Sequence, residues 1–278
     1  MTKLRHATVC GAFFLLVILP FPGTAQNSGK SPLEVTYIAN EGFLISLGGT
    51  KVLIDALQKT KNYTSPSDDV AASMLEGISP FDDVDYVLVT HDHADHFSAE
   101  MVSRFLLNHP GTQFIASSEA CNKLTGDSAA KRRCSGIDLK MGGHRTIRGK
   151  KAEIVALRLE HSGSRDISNL AFLVRSNGYT IMHVGDALLA HNEENLRAID
   201  WSSFGVDLLF VEHFDRSTPA QDIIKNLIKP RHVVLMHIPA GEEEEVRNAP
   251  IKAHPLAVVF GKELESKTFE RNARKSGN

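Results

Sequence analysis

His91-Asp92-His93-Ala94-Asp95-His96 follows the strand-like run Val84-Asp85-Tyr86-Val87-Leu88-Val89, and its reading decides the fold. Three imidazoles and a spaced carboxylate within six positions suit a borderline transition metal, Zn2+ above all. A short apolar run bounded by polar residues reads as a buried strand. If strand geometry persists into the motif, His91 and His93 point to one side, because side chains alternate with period two. Asp95 and His96 come after the chain has begun to turn toward a helix, so they approach from another direction. One segment can then serve two adjacent cations, the first pair holding one and the second pair its neighbour. A surface histidine cluster is the competing reading, and the density of the motif speaks against it.

Four residues cannot close two metal sites, so further ligands are expected elsewhere in the chain. The sequence resembles the metallo-β-lactamase superfamily of metallohydrolases from about Glu34 to Gly241. That family follows its histidine motif with a further His, then an acidic residue that bridges the metals, then a last His. The first matches His161 in Leu157-Arg158-Leu159-Glu160-His161, and the second Asp186 in Ile181-Met182-His183-Val184-Gly185-Asp186. The last matches His237 in Val233-Val234-Leu235-Met236-His237, and the family's early Asp matches Asp55 in Lys51-Val52-Leu53-Ile54-Asp55.

The resemblance implies an α/β fold, a four-layer αββα sandwich with metals at one edge between its two sheets. It assigns His91, His93 and His161 to one metal, Asp95, His96 and His237 to the other, and Asp186 to both. It implies two Zn2+, with Mn2+ or Fe as alternatives for a mixed His/carboxylate set. The implied chemistry is hydrolysis by metal-bound hydroxide, with Asp95 as the catalytic carboxylate that orients it or passes a proton to the leaving group. Asp55 is expected to orient a metal-bound histidine rather than bind metal. Ala39-Asn40-Glu41-Gly42-Phe43-Leu44-Ile45 looks like a segment of the lactonase-like and phospholipase D-like branches. Those branches commonly have Gly-His where this chain has Ala39-Asn40.

Lys3 and Arg5, the apolar run Val9 to Phe21 and the small residues Gly23-Thr24-Ala25 read as a secretory signal peptide over residues 1–25. The mature domain would be 26–278, periplasmic or secreted, with no stable membrane anchor after cleavage. Cys10 precedes the apolar run, so no lipidation is expected there. Removing Lys3 and Arg5 leaves 29 of the 31 basic residues against 33 acidic ones, a net charge of −4. No basic excess points to nucleic acid, so a small-molecule substrate is expected. Cys121 and Cys134 are the cysteines beyond the leader, and the sequence leaves open whether they join.

Val35 to Leu47 and Lys51 to Asp55 read as strands joined through Gly48-Gly49. Gln58 to Asp83 reads as a loop with a short helix near Val70 to Leu75, an insertion able to overhang the site. Ser98 to Asn108 reads as a helix capped by Ser98 and ended by Pro110-Gly111. Ala152 to Leu159, Leu170 to Arg175, Tyr179 to Val184, Asp207 to Glu212 and Arg231 to His237 read as strands. Ser176-Asn177-Gly178 reads as a hairpin turn, and Pro219 as the start of a helix ending before Pro230. The run Glu242 to Glu245 reads as a solvated face.

His183 is expected in the core or behind the ligands, and His213 is a candidate to face substrate. The expected function is an exported dinuclear hydrolase acting on an ester, lactone, amide or phosphodiester. A β-lactamase is an alternative, disfavoured because the main subclasses lack the bridging acid. A metal-binding protein without turnover is another, and redox chemistry as in diiron relatives ranks last.

Overall fold

The computed structural model describes residues 31–125, 128–249 and 257–270. The signal peptide read over residues 1–25 and the basic tail from Arg271 lie outside them. No helix among the described residues is long and apolar enough to cross a membrane.

Among the described residues, two seven-stranded sheets make the frame. In the first, β1 (Leu33–Ala39), β2 (Gly42–Leu47) and β3 (Thr50–Ile54) form an antiparallel meander. Next to β3, β4 (Tyr86–Leu88), β5 (Gln113–Ser117) and β6 (Cys134–Ile137) continue in parallel. In the second, β7 (His144–Arg148), β8 (Glu153–Arg158), β9 (Leu170–Ser176) and β10 (Tyr179–His183) pair antiparallel. There β11 (Leu208–Glu212), β12 (His232–Met236) and β13 (Val258–Val259) follow in parallel. Finally β14 (Ser266–Phe269) returns to pair with β1 of the first sheet.

The period of two decides which face each residue takes. Phe43 and Ile45 of β2, Val52 and Ile54 of β3, and Tyr86 and Leu88 of β4 join one core with Ile154, Ala156, Phe172 and Ile181 of the second sheet. Their neighbours Leu44, Leu53 and Val87 join a separate cluster on the other face. There α1 (Asp68–Glu76) supplies Val70, Met74 and Leu75, and α2 (Ala99–Asn108) supplies Met101, Val102, Phe105 and Leu106. Burying each such aliphatic or phenyl side chain stabilises by roughly 1.5–3 kcal/mol, so both faces contribute strongly. Ser98 caps α2 by accepting from the Met101 N–H, as its sequence predicts.

Shorter helices α3 (Ser118–Lys123), α4 (Ser128–Arg132) and α5 (Glu193–Arg197) lie between strands. After them, α6 (Thr218–Asp222) begins with Pro219 in its first turn and widens into a π-helical stretch, Ile223–Ile228. Ile223, Ile224 and Ile228 belong to the core that runs through the second sheet. The acidic run heads α7 (Glu243–Asn248), where carboxylates suit the helix dipole.

One expected strand is two. Val35 to Leu47 breaks at Asn40-Glu41, where Asn40 takes a φ of 50° and Ala39 pairs with Gly42. A Cβ on Gly42 would lie 2.8 Å from the Ala56 Cα, so only glycine lets the chain reverse here against its neighbour. The turn lifts Glu41 out of the strand pattern. The Gly48-Gly49 and Asn177-Gly178 turns stand as expected, all four residues with positive φ. Cys121 and Cys134 are joined in a disulfide, their Cα atoms 5.9 Å apart.

Candidate metal centre

The two sheets bring their chemistry to a shared edge because β8, β10, β11 and β12 run the same way, as do β3 and β4. Each of these strands is followed or closed by a polar residue, namely His161, Asp186, Glu212, His237, Asp55 and His91 in that order of strands. The structure gathers all seven sequence-predicted ligands there.

His91, His93, His161 and Asp186 present ligand atoms within 4.8 Å of one another. The Nε2 atoms of His91 and His161 lie 3.8 and 3.3 Å from Asp186 Oδ2. On the other side, His96 Nε2 is 2.9 Å from Asp186 Oδ1 and 3.6 Å from Asp95 Oδ2. His237 Nε2 is also 3.6 Å from Asp95 Oδ2, which accepts from Asn40 Nδ2 at 3.3 Å. Asn40 thus serves the carboxylate from the turn between β1 and β2.

Behind the ligands, Asp55 Oδ1 accepts from the Thr90 N–H at 2.8 Å. Its Oδ2 accepts from Thr90 Oγ1 at 2.7 Å and sits 2.9 Å from His96 Nδ1. Asp55 therefore fixes the ring of His96 with Nε2 toward the centre. Gly185 sets up Asp186: its φ is +57°, and a Cβ there would lie 2.4 Å from Asn169 Oδ1. His237 itself has a φ of 58°, an uncommon backbone for a residue with a side chain. Such conformations persist where the surrounding structure over-determines them.

Sequence reasoning missed Glu41 and Glu212. Both are fully buried, and Glu41, Asp186, Glu212 and His237 form a second group with ligand atoms within 4.8 Å. Glu212 carried a usable signal, since it closes the apolar run of β11 as His237 closes that of β12. Glu41 was masked by the missed turn. His183 is buried and donates from Nε2 to the Glu41 carbonyl at 3.0 Å, so it props up that turn as a residue behind the site.

The electrostatics separate the histidines. Burial, aided by neighbouring His96, holds His91 well below its ordinary pKa, so it is a neutral donor at neutral pH. His96 and His237 go the other way. Burial opposes their charge, but Asp186, Glu41 and Asp55 push His96 well up, and Asp95 and Glu212 beside His237 push it to about 11. Burial also opposes ionisation of Asp95 and Asp186, yet the adjacent histidines hold both carboxyls below the usual range. Burial above all raises Glu41 and Glu212.

These residues fit a metal. The Nε2 atoms of His91, His96, His161 and His237 and the Oδ1 of Asp186 are buried without a hydrogen-bond partner. Each such atom left unpaired costs about 1–3 kcal/mol, and cations ligated by these atoms would remove that cost. The field that raises His96 and His237 would hold a cation in place of their protons. Replacing Asp55 with Asn should lower metal affinity about 10- to 100-fold without unfolding the protein, as read by competition with a chromophoric chelator. An unchanged affinity would mean that Asp55 does not orient His96.

The insertion read from Gln58 to Asp83 does reach the site: the Tyr63 ring lies 4.7 Å from that of His237. Phe214 lies 6.2 Å from the same ring, and both aromatics are exposed. His213, half-buried beside Phe214, donates its backbone N–H to the Met236 carbonyl next to His237.

A family model described as a β-lactamase superfamily domain matches residues 34–237. A UPF0173 metal-dependent hydrolase of Pyrococcus furiosus is 27% identical over 244 residues, spanning 84% of this chain and 99% of the relative. Among solved structures, the metallo hydrolase Igni18 of Ignicoccus hospitalis aligns with a TM-score of 0.55 at 20% identity, covering 87% of this chain and all of the other. The metallo-β-lactamase fold protein YhfI of Bacillus subtilis gives 0.59 at 17% identity, covering 86% and all. These likenesses between structures show the αββα fold.

Proposed function

The chain belongs to the β-lactamase superfamily and is a metal-dependent hydrolase, and from that premise we propose a dinuclear enzyme that cleaves a small ester, lactone, amide or phosphodiester. One observation carries the dinuclear reading. The two oxygens of Asp186 face different histidines, Oδ2 toward His91 and His161, Oδ1 toward His96. His91, His93 and His161 would hold one cation, and Asp95, His96 and His237 the other. Two zinc ions suit this mixed set, with manganese or iron as alternatives. Bound cations supply a Lewis acid for the scissile bond and a water acidified enough to attack at neutral pH.

The chain's own groups do the rest. Asp95 is ionised at neutral pH, and its Oδ2 stands between His96 and His237 under the Asn40 amide. With Oδ2 on the side of the cation, the other carboxylate oxygen of Asp95 would accept a proton during attack and return it to the leaving group. Tyr63 and Phe214, exposed and within 4.7 and 6.2 Å of the His237 ring, would position an apolar part of the substrate. Replacing either with Ala should raise KM about 2- to 10-fold at constant metal content, in line with roughly 0.5–1.5 kcal/mol for an aromatic contact. A change in metal content instead would place these rings in the centre's support.

Export belongs to the same proposal. The basic start and apolar run support it, and so does the Cys121–Cys134 bridge, because disulfides persist in oxidising compartments. Cell fractionation checks it, and a protein confined to the cytosol would refute it.

The deciding experiment is elemental analysis of purified protein, with turnover assays on esters, lactones, amides, phosphodiesters and β-lactams. Two metals per chain and chelator-sensitive turnover are expected. No bound metal after zinc loading would overturn the reading.

A further inference from the structure

Asn40 and Glu41 are buried at the centre, and neither belongs to the ligands assigned to a cation. We propose that these two residues, on the turn between β1 and β2, are positioning residues for the second cation alone. They serve all three of its ligands, Asp95, His96 and His237, and none of the histidines of the first. The inference rests on the dinuclear reading.

The Asn40 amide donates from Nδ2 to Asp95 Oδ2 at 3.3 Å. Glu41 reaches the two histidines with one oxygen each. Its Oε1 lies 3.6 Å from His237 Nδ1, and its Oε2 3.7 Å from His96 Nδ1. Both rings turn their other nitrogen, Nε2, toward Asp95 at 3.6 Å. A neutral imidazole that binds a cation through Nε2 carries its proton on Nδ1. Cation binding therefore leaves an N–H on each ring facing Glu41. Asp55 engages that of His96 directly, at 2.9 Å. Nδ1 of His237 makes no other hydrogen bond, so Glu41 and Glu212, whose Oε2 is 3.5 Å away, are the acceptors left to it.

The first cation's histidines are backed differently. His91 Nδ1 lies 3.2 Å from the Thr90 hydroxyl, and His161 Nδ1 2.8 Å from the Gly163 backbone nitrogen. Among the described residues, the carboxyls that face a ring Nδ1 face His96 and His237. The turn thus bears on one cation and not on its neighbour.

The turn is also held in place. His183 Nε2 contacts the Glu41 carbonyl at 3.0 Å. A Cβ on Gly42 would lie 2.8 Å from both the Asp55 carbonyl oxygen and the Ala56 Cα, so the turn rests on the backbone of the residue that orients His96. The Glu41 carboxyl does little for the fold itself, since both its oxygens are buried without a hydrogen-bond partner. A buried polar group left unpaired destabilises, which gives Glu41 a reason to be there only once the ligand rings present their protons.

The test titrates zinc into the full chain against a chromophoric chelator, which resolves two affinities in the wild type. Glu41→Met fills the space without an acceptor, and Asn40→Gly removes the amide while tolerating the φ of 50°. In each variant one of the two zinc affinities should fall about 10- to 100-fold and the other should hold. A second readout separates positioning from plain support of the fold. Metal-free Glu41→Met should melt no lower than metal-free wild type, because it loses only unpaired oxygens. Two zinc ions in the wild type, with both affinities unchanged in the variants or both lowered alike, would overturn the role of the turn and leave the dinuclear reading intact. A lower metal-free Tm, or failure to fold, would make Glu41 a support of the fold and overturn its part, while Asn40→Gly still decides that of the amide. A wild type that binds a single zinc would remove the dinuclear reading and this inference with it.

Discussion

Asp186→Asn is expected to remove turnover and to lower the bound metal from two ions per chain to one or none. Asparagine keeps the shape of the side chain but loses the charge and one of the two oxygens that face His161 and His96 at 3.3 and 2.9 Å. Groups that merely orient metal ligands are worth about 10- to 100-fold in affinity or activity, so loss of a shared ligand should exceed 100-fold in both. Elemental analysis and kcat/KM on the same preparation check this together. Full metal content with full turnover would remove Asp186 from the bridging position, and with it the dinuclear reading.

Stripping the metals should lower the Tm by about 8–16 °C. A ligand present at a thousand times its Kd stabilises the folded state by about 4.1 kcal/mol. For a domain of this size each kcal/mol shifts Tm by about 2–4 °C. The loss should also depend on pH, in a direction that the histidines set. The folded pKa of His237 is about 11, above its unfolded value, so its contribution is full below ~6.5 and is lost as pH rises toward 11. His96 and the raised Glu41 and Glu212 act in the same direction. The metal-free protein should therefore lose stability across that window. The loaded protein keeps cations where the His96 and His237 protons sat, so the Tm difference should widen as pH increases from 7 to 9. Calorimetry with and without chelator measures it, and a constant or narrowing gap would mean that cations do not replace those protons.

Much of this site was legible because catalytic ligands at strand ends leave a local signature. His161, Asp186 and His237 each close an apolar run, and the cluster from His91 to His96 needs no tertiary information to be noticed. The frame followed from the same periodicity: Phe43, Val52 and Tyr86 face one core, and Leu44, Leu53 and Val87 the other. Short edge strands such as β7 and β13 escaped notice, since an exposed or two-residue strand carries no apolar pattern.

Glu41 escaped for a different reason. In the sequence it lies in a continuous strand-like segment, and its burial depends on a reversal at Asn40 that requires glycine at position 42 because Ala56 packs against it. The donor types, their order and the two-sheet frame are properties of the sequence itself, because period and residue chemistry are local. Which nitrogen of His237 faces Asp95 and which faces the two glutamates was decided only by the tertiary structure. The physical reason is distance: Glu41, Asp95, Glu212 and His237 come from four separate elements, and only the packing of the two sheets brings their charges within 4 Å.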